Sequence, residues 1–179
     1  CESDCTGLKA SAYQAKNRNK KEGIKMTDQE YMLRAIQLAK KGEGWTNPNP
    51  MVGAVIVKDG KVIAKAYNMK ESKQCGVYHA EILAIMRACK KLSNWRLENC
   101  DIYITLAPCP MCASAIKQSR ISNVYCGLSN SDSSAMNITK KILENNDINS
   151  SVNLYSDLFS NEVSVLLKKF FENRRTKMK

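Results

Sequence analysis

The chain has 179 residues, 44% of them hydrophobic, and a formal net charge of +11. That length fits one domain with a single sizeable core, and no run of about 18 apolar residues is present to cross a bilayer. Its eight cysteines come without an apolar signal core, so reduced thiols in the cytoplasm, some of them holding metal, are expected in place of a disulfide framework.

Residues 1–25 are polar, Lys-rich and without hydrophobic period; they read as a flexible basic N-terminal extension, with Met26 a natural start for the domain at 26–179. Thr27 and Glu30 form a capping-box signature. Tyr31, Met32, Ala35, Ile36 and Ala39 then recur at helical spacing, which predicts an amphipathic helix over residues 28–41. Gly42, Gly44, Pro48 and Pro50 break it into a loop. Residues 52–57 read as a strand, Asp59-Gly60 as a hairpin turn, and residues 61–67 as the antiparallel return.

After a polar loop, residues 79–92 form a helix expected to bury Ile82, Leu83, Ile85, Met86 and Cys89. A strand at 101–106 leads to a helix at 109–118 and a strand at 121–126. A helix near 135–144, a polar loop at 145–149, a strand at 152–155 and a last helix at 161–173 follow. Strands alternating with helices after an initial hairpin imply an α/β fold: a three-layer α/β/α sandwich around a five-stranded mixed sheet, helices on both faces. There is no internal repeat.

The charge is uneven. Residues 1–25 carry six Lys/Arg against three acids, and residues 168–179 carry six against one. A solvated basic tail and a phosphate-binding footprint both fit this distribution.

The chemistry concentrates in two short runs, His79-Ala80-Glu81 and Pro108-Cys109-Pro110-Met111-Cys112. His79 is the one histidine of the sequence. With Cys109 and Cys112 in C-x-x-C spacing it offers three ligands to a zinc ion, leaving the fourth tetrahedral position to water. Both runs lie where a helix begins, and the partial positive charge of a helix N-terminus lowers thiol pKa values and prepares the cysteines to bind metal deprotonated. Glu81 lies about 200° around a regular helix from His79. Both can approach one ion only off the helix end, which favours Glu81 touching the bound water and moving its proton. A C-x-x-C alone fits structural zinc or a redox pair, and a lone His before a helix fits core packing. Their conjunction on two helix starts favours catalysis.

H-x-E followed by P-C-x-x-C is the signature of zinc nucleobase deaminases, and the chain resembles the cytidine-deaminase-like superfamily over roughly residues 28–175. The generic part is Val52-Gly53-Ala54-Val55, His79-Ala80-Glu81-Ile82 and Pro108-Cys109-Pro110-Met111-Cys112. Within the superfamily it is similar to the tRNA-specific adenosine deaminases through Tyr67-Asn68, Asn94-Trp95-Arg96-Leu97, Ser119-Arg120-Ile121 and Phe170-Phe171-Glu172-Asn173-Arg174-Arg175.

That resemblance implies hydrolysis of adenosine to inosine at the wobble position of a tRNA anticodon, one zinc per subunit and a homodimer with the target base flipped into each pocket. It implies that Asn68 hydrogen-bonds base or ribose, with Ala80 and Pro108 beside the ligands also contacting substrate. It further implies that the Cys109 N–H helps hold the attacking hydroxyl, and that Glu81 delivers its proton to the ring nitrogen and departing amine. Leu166, Leu167, Phe170 and Phe171 read as core packing of the last helix, which leaves Arg174 and Arg175 as candidates for RNA contact. Trp95 and Arg96 fit packing and surface charge equally.

Three departures stand out. Ala107 occupies the position before Pro-Cys where the family usually has Glu. The loop 128–134, which includes Asn130, lacks the usual Gly-rich run expected to contact nucleic acid. Thr46-Asn47-Pro48-Asn49-Pro50-Met51-Val52-Gly53 resembles the riboflavin-pathway pyrimidine deaminases, in which the Asn matching Asn49 helps hold substrate. Those typically have a longer gap between their Cys ligands and often a reductase domain behind. Deamination of a riboflavin-pathway pyrimidine, guanine or cytosine is therefore the alternative enzyme reading. A non-catalytic RNA-binding partner subunit is the third, although such partners commonly lose the shuttle Glu that stands here as Glu81.

Overall fold

Asp59 and Gly60 both turn at positive φ, 49° and 73°, the backbone that a tight two-residue hairpin requires. They join β1 (Gly53–Lys58) to β2 (Lys61–Tyr67), paired antiparallel from Gly53 opposite Tyr67 to Lys58 opposite Lys61. The structure, a computed structural model, describes residues 26–129, 133–146 and 152–176, with side chains through residue 168. The N-terminal extension, Asn130 and the polar loop expected at 145–149 lie wholly or largely outside the described residues.

β3 (Cys100–Leu106) pairs antiparallel with the other side of β1, and β4 (Asn123–Leu128) and β5 (Asn153–Tyr155) follow in parallel. The sheet runs β2-β1-β3-β4-β5. It is the mixed five-stranded sheet that the pattern implies. β4 begins two residues later than expected, because Arg120 takes a left-handed φ of 60° and the Ile121 N–H still reaches back to the Ile116 carbonyl.

Helices cover both faces. One face carries α1 (Asp28–Lys40) and α5 (Ser160–Thr176); the other carries α2 (Ala80–Leu92), α3 (Pro110–Gln118) and α4 (Ser134–Glu144). The capping box forms as expected, the Thr27 hydroxyl accepting from the Glu30 N–H and the Glu30 carboxylate from the Thr27 N–H. Tyr31, Met32, Ala35, Ile36 and Ala39 are all buried. They pack on Val55, Val57 and Tyr103 together with Val163 and Leu166 of α5, so Leu166 is core as read, with Leu167 partly buried against the same cluster. Phe170 and Phe171 fall on α5, with side chains outside the described residues.

Gly53 lets α1 lie directly on β1. A Cβ there would stand 2.0 Å from the Ala35 carbonyl oxygen. On the same face Tyr31, Tyr103, Tyr125 and Tyr155 form a ladder of rings with centroids 5.0, 4.6 and 4.8 Å apart.

The stripe of α2 differs from expectation. Leu83 and Ile85 are buried, but so are Ala80, Ala84 and Ala88, while Met86 is 53% exposed and Ile82 and Cys89 are half-buried. Met86 sits two residues past Ala84, about 200° around the helix, and faces away from the sheet. Small alanines let α2 approach β1 and β2 closely, and that contact excludes the larger side chain. No helix among the described residues is long and apolar enough to cross a membrane.

Candidate metal and catalytic centre

The centre forms at the end of the sheet where β1 starts and β2 and β3 finish. β3 stops at Leu106, the Ala107 N–H donates to the Leu128 carbonyl at 2.9 Å, and the chain turns into α3. Cys109 is the N-cap of α3 in extended conformation, Pro110 opens the helix, and Cys112 lies in its first turn. Proline suits that opening position because its missing N–H would be unpaired there anyway. His79 is likewise the extended N-cap of α2. Two helix starts therefore aim their side chains at one point.

The His79 Nδ1 is 3.7 Å from Cys109 Sγ and 3.5 Å from Cys112 Sγ, and the three ligand atoms lie within 4.8 Å of one another. Zinc bonded at about 2.3 Å to sulfur and about 2.0–2.1 Å to nitrogen, at a tetrahedral angle, needs sulfur–nitrogen separations of about 3.6 Å. Both sulfur–nitrogen distances match that ion. Among the described residues this is the one group of three such side chains placed to hold a metal.

Charge is organised to match. Cys109 is held down to about 5, chiefly by the hydrogen bond from the Cys112 thiol, with the Cys112 and Met111 N–H groups and His79 adding to it and burial opposing. The same bond, burial and the neighbouring Glu81 push Cys112 up. A metal ion bound by both sulfurs would displace their remaining thiol protons. Glu81, in the first turn of α2, is buried to 4% exposure. Burial raises its carboxyl pKa, while its own backbone N–H, His79 and Cys112 work in the opposite direction. Raising a carboxyl toward neutrality suits a group that must both take and give a proton.

The other expected residues divide. Ala80 and Pro108 are buried directly beside the ligands. Asn68 is 6% exposed just after β2; its Nδ2 donates to the Pro50 carbonyl and its Oδ1 accepts from the Lys70 N–H. Asn49 is half-buried, and its Nδ2 donates to Glu71 at 2.6 Å. Arg174 and Arg175 lie on α5 with side chains outside the described residues, as is the whole of Asn130. Trp95 is 55% exposed with the Arg96 guanidinium 4.7 Å from its ring centroid, so this pair is surface cation–π packing beyond the C-terminal end of α2.

Two residues escaped the sequence reading. Thr139 of α4, fully buried, donates through Oγ1 to the Pro108 carbonyl at 2.9 Å. Lys117 of α3, at 1% exposure, donates through Nζ to the Leu143 carbonyl at 2.7 Å. The signal for Thr139 was its place one turn after Met136 and one before Leu143 on the buried stripe of α4. Lys117 carried none, since an aliphatic stem ending in a cation reads as surface.

Comparison with known proteins agrees with this geometry. The cytidine and deoxycytidylate deaminase zinc-binding region matches residues 25–128. The tRNA-specific adenosine deaminase of Bacillus subtilis is 38% identical over 152 residues, covering 85% of this chain and 93% of that protein. The riboflavin biosynthesis protein RibD of Actinobacillus pleuropneumoniae is 43% identical over 110 residues, 58% of this chain but 27% of that protein. A structure from a study of A-to-I editing by tRNA:A34 deaminases at the wobble position of transfer RNA superposes with a TM-score of 0.69 at 32% identity, covering 77% of this chain and 99% of that one. With His79, Cys109, Cys112 and Glu81 converging on one point, the chain belongs to the zinc-binding cytidine and deoxycytidylate deaminase family.

Proposed function

We propose that this protein hydrolyses adenosine to inosine at the wobble position of a tRNA anticodon. The observation that carries the reading is one of coverage: similarity to the Bacillus subtilis tRNA-specific adenosine deaminase spans 93% of that enzyme, against 27% of the riboflavin protein. The short C-x-x-C spacing of Cys109 and Cys112 supports the same choice.

His79, Cys109 and Cys112 hold one zinc per subunit. When bound, zinc supplies a Lewis acid that brings the ionisation of water near neutral pH. Glu81 takes one proton from the attacking water and delivers it to the ring nitrogen, then carries the second, from the hydroxyl now on the ring carbon, to the amine, which leaves as ammonia. The burial of Glu81 keeps bulk water from competing for either proton. Asn68, Ala80 and Pro108 contact the flipped base or its ribose. Arg174, Arg175 and Asn130 contact the RNA backbone, the arginines contributing to the basic excess of residues 168–179. The working form is a homodimer in the cytoplasm.

The test is to incubate the purified protein with an adenosine-containing anticodon stem-loop of the arginine tRNA type and measure inosine by mass. Free adenosine, cytosine, guanine and a pyrimidine nucleotide run in parallel. Inosine in the stem-loop alone supports the proposal. Ammonia from a small molecule with an unchanged stem-loop overturns it, and assigns the Asn49 loop, with its likeness to the riboflavin-pathway enzymes, to a small substrate.

A further inference from the structure

Pro108 and Cys109 share one peptide unit, with the Pro108 carbonyl at one end and the Cys109 N–H at the other. The bond is trans, since Asn47-Pro48 is the cis bond found among the described residues. In a planar trans peptide the C=O and N–H point in opposite directions. Thr139 takes hold of the carbonyl end from the buried side, at 2.9 Å. The N–H end is thereby turned away from Thr139, and Cys109 itself is partly exposed. Among the described residues no protein acceptor takes the Cys109 N–H. A carbonyl that accepts a hydrogen bond also polarises its peptide, which makes the N–H a stronger donor.

The helix that carries Thr139 is itself fixed. Leu143 is four residues further along the same face, and its carbonyl receives the buried Lys117 ammonium from α3. α4 is therefore tied at successive turns to the loop before Cys109 and to the helix that bears Cys112. Ala107, the residue before Pro108, has no polar side chain with which to brace the loop from within.

We infer that Thr139 is a positioning residue of the centre: its bond to the Pro108 carbonyl sets the peptide plane that directs the Cys109 N–H at the reacting oxygen and the Cys109 Sγ at the metal. This rests on the deaminase reading for its turnover arm and on the zinc ligands alone for its metal arm.

The test compares Thr139→Val, which keeps the shape and removes the donor, with Thr139→Ser, which keeps the donor. Two readouts are taken: kcat and KM on the stem-loop, and the rate of zinc release to a colorimetric chelator. Partners that orient a metal ligand from outside the coordination shell typically matter about 10–100-fold. Thr139→Val is expected to lower kcat and speed zinc release by about tenfold or more with KM within about twofold, and Thr139→Ser to restore both. Should the valine variant not fold, Thr139→Ala against Thr139→Ser makes the same comparison.

Wild-type zinc release in the valine variant would overturn the inference, as would a serine variant no better than valine, which would reduce Thr139 to packing. An effect confined to KM also overturns it. Zinc release needs no substrate, so failure of the tRNA reading leaves that arm intact.

Discussion

The side-chain amide of Asn68 donates to the carbonyl of Pro50 at 3.2 Å, and its oxygen accepts from the Lys70 N–H at 3.1 Å. One buried side chain thus ties the loop before β1 to the loop between β2 and α2. Asn49 reaches across the same gap to Glu71 at 2.6 Å. These two loops flank the start of β1 and the approach to His79, so Asn68 braces them against each other. An amide has two donors and an acceptor with two lone pairs, which leaves capacity for a ligand after both backbone bonds are made.

Replacing Asn68 by Ala removes both bonds and is expected to destabilise the fold by about 1–3 kcal/mol, as two lost buried hydrogen bonds should, with kcat/KM falling together with it. Asn68→Asp keeps the acceptor for Lys70 and loses the donor to Pro50, so it should fall between. Urea unfolding of the three proteins checks the order. An alanine variant as stable as the wild type would remove the rim-bracing role.

Glu81→Gln preserves shape while removing the proton carrier. Turnover is expected to drop by several orders of magnitude with zinc content unchanged at one per chain. Because burial raises the Glu81 carboxyl pKa, the neutral amide relieves the cost of a buried charge. The thermal midpoint should therefore hold or rise while activity is lost. Metal analysis beside single-turnover kinetics decides the matter, and an unchanged rate would sink the shuttle role.

What could be read from the sequence followed from local pattern. The hairpin was legible because Asp-Gly fixes a turn by backbone preference alone. The capping box at Thr27 and Glu30, and the stripe from Tyr31 to Ala39, were legible because helix periodicity writes a core face directly. The metal centre was legible because His79 and Cys109 are helix N-caps, a position set by neighbours within a turn. Failures came where distant contacts decide. Met86 reads as core but faces out, because the closeness of α2 to the sheet depends on the fit of Ala80, Ala84 and Ala88 against strands far away in sequence. Thr139 and Lys117 act through carbonyls 31 and 26 residues distant, and no local spacing announces such a bond.

Gly53 tests the packing that places the centre. A Cβ there would lie 2.0 Å from the Ala35 carbonyl oxygen and 2.7 Å from the Ala39 nitrogen, both backbone atoms of α1 that cannot swing aside. Gly53→Ala must therefore lift α1 off β1. Overpacking usually costs about 1–3 kcal/mol, and backbone on both sides puts this case at or above the top of that range. Soluble yield and urea midpoint report it. A variant within about 0.5 kcal/mol of wild type, the ordinary scatter of surface changes, would mean that α1 does not rest on the sheet at Gly53.

Alkaline pH should weaken the fold through Cys100. Its thiol is fully buried at the start of β3 and is pushed up to about 11, first by burial, with Asp101, Asp59 and Cys89 adding and Lys58 opposing. In the unfolded chain it ionises near the ordinary thiol value of about 8.5. Between the two values the folded state keeps a proton that the unfolded state has lost, so unfolding free energy decreases as pH rises. Stability is fully present below about pH 8.5 and declines toward pH 11. Burial raises Tyr31 and Tyr103 as well, and these continue the decline above about pH 10. Urea midpoints taken from pH 8 to 10.5 should fall steadily in the wild type. Cys100→Ala lowers stability at every pH by leaving a cavity, but its midpoint should fall less steeply over the same interval. Equal slopes for the two proteins would show that Cys100 does not hold its proton in the folded state.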